Sequence, residues 1–366
     1  MSQVFNENKT PEEYMAASQP LFFGKSQGLF NTVYKPYPRI WALYKTMKSL
    51  DWDEKEFDYS QCLNDFKNCP KSVSDMMIRT LAWQWEADSV ASRAIAPVLA
   101  PFITDSSLWA AWQRVSDNEV VHAATYSEIV RMSFDNPEEV LGEILKVQES
   151  IKRLEAIAKV FDDLYKASHK YALGEISEEE AYDALFMGVV ALFILERLQF
   201  TDSFGITFTI CSANWFQPIG KAVQKIAQDE LEVHAELDKE VLRVELATDR
   251  GRAAYERNKG KIKAIADEVL ESELTFNRYL FSEGRELLGA NLQMLNNWAL
   301  FNAKDVYTFL DIECEHKFPK TNPMPHLENW LNIGSTQSAP QEQDNNQYKV
   351  NTIVRDDAGI DFDIDF

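Results

Sequence analysis

Residues 116–126 read SDNEVVHAATY, and residues 225–237 read KIAQDELEVHAEL. Each stretch sets a glutamate and a histidine, Glu119 with His122 and Glu230 with His234, into helix-forming text. Residues three or four apart share a helix face, so each pair points a carboxylate and an imidazole the same way. One further acid precedes each pair in apolar text: Asp88 in LAWQWEADSVASR (81–93) and Glu196 in VALFILERLQF (190–200). Asp88 lies 31 residues before Glu119, and Glu196 lies 34 before Glu230. The order carboxylate, Glu-x-x-His, carboxylate, Glu-x-x-x-His is an internal two-fold pattern.

Four such faces turned into a bundle would gather four carboxylates in a dry core, which is very costly without cations. Two divalent ions would balance that charge. Oxygen-rich ligation with one imidazole per metal suits iron or manganese better than structural zinc. Helical bundles that hold di-iron or di-manganese carboxylate centres use this arrangement. Single motifs carry little weight. Glu313 and His316 match as well, near a helix end before Pro319, and read as a surface coincidence. His169 and His326 have no acidic counterpart at the right interval. Glu196 alone would read as an acid paired with Arg197, and Asp88 alone as a helix-surface acid. The repeat is what specifies a site. Tyr126 follows His122 by four residues, so Glu119, His122 and Tyr126 fall within about 60° on one helix face. A core tyrosine is common, but one beside a redox metal pair can lose a hydrogen atom.

Among 366 residues, 45% are hydrophobic, enough for a large core, while Gly and Pro number only 13 each. Long segments without breakers favour an all-α fold. Helices are expected at about 39–50, 73–95, 106–133, 138–171, 178–212, 218–247, 260–287 and 291–315. Asn136-Pro137 followed by two glutamates marks one start, and Ser177 with Glu180 marks another. No linker composition occurs before about residue 320, so one helical domain (1–320) and a tail (321–366) are expected. The net charge of -21 argues against nucleic-acid binding. The uncharged run Ala184–Leu195 is too short for a membrane span and reads as a helix buried on all sides. Four scattered cysteines and no leader-like start suggest a reduced, cytoplasmic setting.

The chain resembles the small, radical-generating subunit of class I ribonucleotide reductases of the tyrosyl-radical type, from LFFG near residue 21 to the C-terminus. The resemblance implies a ferritin-like helical bundle with a di-metal carboxylate centre. Asp88, Glu119, His122, Glu196, Glu230 and His234 fall on the metal ligands, and Tyr126 on the radical tyrosine. Phe200, Phe204 and Ile226 match the apolar pocket that shields the radical. Trp52 and Asp229 match the pair that carries an electron, with His122, between surface and cluster. In the tail, APQEQDNNQY matches a segment with a redox tyrosine, here Tyr348, preceded by Glu342. The acidic-aromatic end, DFDIDF, resembles the peptide that docks on the large subunit. There is one departure. The family's second motif is Glu-x-x-His, and here one extra residue lies between Glu230 and His234. On a regular helix it would turn the imidazole by about 100°. A one-residue π-bulge would absorb it, although residues four apart on an unmodified helix can also bind one metal.

The implied activity is that of a ribonucleoside-diphosphate reductase small subunit. Two iron ions are expected as cofactor, with two manganese ions or a mixed pair as alternatives. A homodimer and a separate large subunit are the implied partners. Nucleotide binding by this chain is not expected, since no P-loop or G-x-G-x-x-G occurs. Two other readings stay open on the residues alone: a di-metal oxidase or hydroxylase with its own small substrate, and a non-catalytic metal-binding bundle.

Overall fold

The structure, a computed structural model, describes residues 20–24, 30 and 32–332. Glu342, Tyr348 and the acidic end lie outside the described residues. The regular elements among the described residues are helical, and two isolated bridges, Phe22 with Ile103 and Leu287 with Ala290, are the extended pairings.

The chain runs through α1 (Pro38–Ser49), α2 (Ser60–Asn68), α3 (Lys71–Leu99), α4 (Ser106–Ser133), α5 (Pro137–Ile144), α6 (Gln148–Ala172) and α7 (Glu178–Ile194). A π-turn, Leu195–Gln199, leads from α7 toward α8 (Thr201–Ser212). A second π-turn, Glu230–His234, joins α9 (Gln217–Asp229) to α10 (Ala235–Leu246). Then come α11 (Asp249–Leu280), α12 (Leu292–Phe309) and the single turn α13 (Glu328–Leu331). Helix α3 packs along α4, α6 along α7, and α11 lies against α6, α7 and α12.

Local chemistry sets the helix starts. Asp105 caps α4, its carboxylate accepting from the Ser107 and Leu108 amides. Ser177 and Glu180 form the expected capping box at α7. Thr248 caps α11, so this helix begins eleven residues before the expected position at 260. The expected helix 138–171 is two helices, because the buried stripe changes direction. Ile144 packs with Ala82 and Val130 in a small satellite cluster, Leu145 is exposed, and Ile157 and Leu164 of α6 enter the main core. Helix α2 was not expected at all; nine residues with one buried side chain, Cys62, leave little periodic signal.

From Glu178 to Ser212 the chain is apolar and long enough to cross a membrane by composition, but 89% of its most apolar window is buried in the bundle. It is the central core helix. Its fully buried Leu192, Phe193 and Ile194 contribute about 1.5–3 kcal/mol each. After α12 the chain stays on the bundle. Met324 and Leu327 are fully buried, and Trp330 stacks on Phe208 at 5.3 Å while donating to Ser212 Oγ at 3.0 Å.

The junction of α10 with α11 depends on Gly251. A Cβ there would stand 2.0 Å from the Glu245 carbonyl oxygen. Because that neighbour is backbone, it cannot swing aside. Gly251→Ala is expected to destabilise the fold by about 1–3 kcal/mol. An unchanged thermal midpoint would show that the junction opens without cost.

Candidate metal centre

Asp88 comes from α3, Glu119 and His122 from α4, Glu196 from the first π-turn, and Glu230 and His234 from the second. All six side chains converge in the bundle, and none is more than 1% exposed. Their ligand atoms form two quartets, Asp88–Glu119–His122–Glu230 and Glu119–Glu196–Glu230–His234, each with all atoms within 4.8 Å of one another. Glu119 and Glu230 belong to both quartets. Glu230 Oε1 lies 2.9 Å from His122 Nδ1, and its Oε2 lies 3.2 Å from His234 Nδ1. Glu119 does the same, with Oε2 3.6 Å from His122 Nδ1 and Oε1 3.3 Å from His234 Nδ1. The π-turn expected between Asp229 and His234 is present, and it brings His234 onto the cluster despite the extra residue. The π-turn at Glu196 was not foreseen, since a single acid sets no spacing that could reveal it.

The cluster's electrostatics call for cations. Both oxygens of Asp88 and of Glu119, and Glu196 Oε2, have no hydrogen-bond partner in the chain. Such groups are costly unless a ligand satisfies them. Without a metal the cluster must neutralise itself with protons. Burial, reinforced by Glu119, raises Asp88 well above the usual carboxylate range. Burial, reinforced by Glu230, does the same to Glu196. Burial also pushes Glu230 up, but contacts with Glu196, His234 and His122 outweigh it and hold Glu230 below the usual range. Burial lowers both imidazoles, yet the surrounding carboxylates raise His122 well above its ordinary value and His234 to about 10. A cation that binds here displaces those protons. Four carboxylates and two imidazoles, two of the acids shared, fit two divalent ions of the iron or manganese kind.

Away from the cluster, His122 Nε2 lies 3.2 Å from Asp229 Oδ2, which accepts from Trp52 Nε1 at 2.8 Å. The Trp52 and His122 rings stack at 5.9 Å. This buried imidazole–carboxylate–indole chain unites three residues up to 177 positions apart. Tyr126 is 1% exposed, and its hydroxyl has no partner in the chain. Burial first, then the Asp88 charge, raises its phenol well above the ordinary value, so it stays neutral. Phe200, Phe204 and Ile226 are buried in the same core, the two phenylalanines stacked at 5.7 Å. The other histidines sit elsewhere: His316 pairs with Glu271, His169 faces the Tyr165 carbonyl, and His326 meets Thr209 Oγ1 at 2.9 Å.

Three neighbours of the second imidazole escaped the sequence reading. The Asn118 side-chain amide lies 3.3 Å from His234 Nε2. Asp238 accepts from Trp112 Nε1 at 3.1 Å, and burial raises its carboxyl to about 7. Helical spacing held a signal for Asp238, four residues past His234, but the charged run AELDKE hides it as a surface. Asp238 with Trp112 is thus a second buried carboxylate–indole pair, beside Asp229 with Trp52.

Residues 29–323 match the family model described as ribonucleotide reductase, small chain. The chain is 24% identical to a ribonucleoside-diphosphate reductase subunit beta of Buchnera aphidicola, over 98% of both chains. It is 25% identical to the corresponding subunit of Enterobacteria phage T4, over 100% of this chain and 97% of that one. Among solved structures, the ribonucleotide reductase R2 subunit from Clostridium botulinum superposes with a TM-score of 0.77 at 16% identity, covering 90% of this chain and 98% of that one. The dimanganese(II)-NrdF of Streptococcus sanguinis superposes with a TM-score of 0.65 at 15% identity, covering 83% and 99%. These likenesses make the fold a ferritin-like helical bundle. With a family match over most of its length and a di-metal carboxylate site at its centre, the chain belongs to the small-chain family of ribonucleotide reductases, as the small subunit of a ribonucleoside-diphosphate reductase.

Proposed function

We propose that the centre holds two iron ions, that Tyr126 stores a radical beside them, and that this radical passes to a separate large subunit, where ribonucleotides are reduced. The observation that carries the reading is the pair of quartets sharing Glu119 and Glu230, with Glu119 and His122 on the same helix as Tyr126, a buried tyrosine whose hydroxyl has no partner in the chain. Asp88, Glu119, His122 and Glu230 would hold one ion, and Glu119, Glu196, Glu230 and His234 the other. Iron held by these residues would supply, with dioxygen, the oxidising power for a neighbouring phenol. Tyr126 gives up a hydrogen atom from a neutral phenol. Phe200, Phe204 and Ile226 keep water from the product. Trp52, Asp229 and His122 form a hydrogen-bonded path for a further electron. A small-substrate oxidase would need an opening beside the metals, and the six cluster residues are at most 1% exposed. Manganese remains the alternative metal, because carboxylate and imidazole donors suit both. A homodimer in the cytoplasm completes the reading.

The test is iron(II) loading followed by air. A sharp tyrosyl-radical absorption and its paramagnetic resonance are expected beside oxo-bridged iron bands. Iron uptake without any radical would overturn the assignment of Tyr126. Metal analysis of protein from its native host decides between iron and manganese.

The tail is the proposed contact with the large subunit. Tyr348 would relay the radical, and the apolar–acidic alternation Ile360 to Phe366 can seat aromatic rings in a groove with acids at its rim. Deleting residues 348–366 is expected to leave metal loading and radical intact while removing nucleotide reduction. A synthetic 348–366 peptide should inhibit the intact pair. Undiminished binding of the truncated chain, with no inhibition by the peptide, would place the docking function elsewhere.

A further inference from the structure

Arg153 lies on α6, a helix that contributes no residue to the metal cluster, yet it is 1% exposed. Its guanidinium is clasped between the rings of Trp83, 3.8 Å away, and Phe276, 4.2 Å away. Its Nε donates to Glu273 Oε1 at 2.6 Å, and Nη2 reaches the other oxygen of that fully buried carboxylate. The remaining donors go to the chain around Glu196. Nη2 donates to the Gln199 carbonyl at 2.8 Å, and Nη1 to Ser203 Oγ at 2.9 Å. In return the Gln199 side-chain amide donates to the Arg153 carbonyl. Gln199 is the last residue of the π-turn that carries Glu196. Trp83 stands on the helix of Asp88 and meets Phe200 edge-on at 4.9 Å.

A fully buried ion pair is weak as a source of stability, because two charges lose their hydration; apolar replacements of similar volume are often neutral or better. This pair therefore needs another reason, and its contacts supply one. A guanidinium fork can hold a carboxylate and a backbone carbonyl in fixed relative positions. If the π-turn relaxed to a regular helix, one residue of register would be lost. Glu196 would then rotate by about 100° relative to the chain that follows. We infer that Arg153, neutralised by Glu273, is a positioning residue that locks the π-turn Leu195–Gln199 and so aims Glu196 into the second quartet. The inference rests on the two-metal reading.

Anaerobic manganese(II) binding to the full chain tests it, read by calorimetry and by the exchange-coupled two-manganese resonance, with thermal unfolding alongside. In Arg153→Met/Glu273→Leu the fold and melting midpoint are expected to hold. The first ion should bind as in the parent, and the second about tenfold or more weakly. A purely structural role for the pair would leave manganese binding untouched. Parent-like binding of both ions by the folded double variant would overturn the inference. Should that variant not fold, Arg153→Lys decides. It keeps the charge opposite Glu273, but one ammonium cannot serve the carboxylate, the Gln199 carbonyl and Ser203 together. The same weakening is expected, and two ions at parent affinity would overturn the inference. A parent chain that binds no manganese would overturn the metal reading instead.

Discussion

Tyr126→Phe is expected to abolish ribonucleotide reduction and the stable radical while leaving fold and metal content unchanged. The ring is fully buried, and the phenylalanine ring fills the same space. The hydroxyl has no hydrogen-bond partner in the chain, so its removal orphans nothing. What disappears is the only oxidisable O–H on the helix face shared with Glu119 and His122. The thermal midpoint should stay within about 2 °C of the parent. Turnover with the large subunit, the radical resonance and bound iron per chain check this together. Parent-rate reduction by the variant would remove Tyr126 from the radical role.

Glu230→Gln should cost the protein both metals, whereas Asp88→Asn should cost one. Glu230 offers one oxygen toward each imidazole, at 2.9 Å and 3.2 Å, and belongs to both quartets; Asp88 belongs to one. An amide of the same shape carries no charge and points an NH2 at one of the two cations. Ligand linkage gives the size of the effect. Metal at a thousand times its dissociation constant stabilises a folded protein by about 4 kcal/mol per site. That metal-dependent rise in melting midpoint should vanish in Glu230→Gln and fall by about half in Asp88→Asn. Calorimetry with manganese(II) gives the stoichiometry directly. Two ions at parent affinity in Glu230→Gln would show that the shared carboxylate is not shared by the metals.

Much of this centre was legible in the sequence because ligands on helices obey simple spacing. Glu119, His122 and Tyr126 share a face by arithmetic, whereas the π-turn found at Glu230–His234 was expected only from the one-residue departure from the family's motif, with a regular helix as the alternative. Other parts had no such trace. The union of Trp52 with Asp229 crosses the whole fold and was suggested by resemblance alone. The clasp of Arg153 on Glu273 joins residues 120 apart, and each looks like an ordinary charge on a helix surface. The start of α11 was misplaced because Gly251 and Gly260 look like breakers. One of them is instead required by close approach to the Glu245 carbonyl, and Gly260 faces open space on the helix. The break between α5 and α6 came from a change in which side of the chain meets the core, which no local residue announces.

The central helix also bears on how the chain emerges from the ribosome. Synthesis runs from the N-terminus, so Glu178–Ser212 appears while α11 and α12, which cover it in the finished bundle, are still untranslated. By length and composition alone that segment is apolar enough to cross a membrane. Near its middle stand Glu196 and Arg197. A charged residue at the centre of a would-be span costs about 2.5–3.5 kcal/mol on insertion scales. The carboxylate of the second quartet thus also disfavours diversion of the nascent segment into a bilayer before its partners exist.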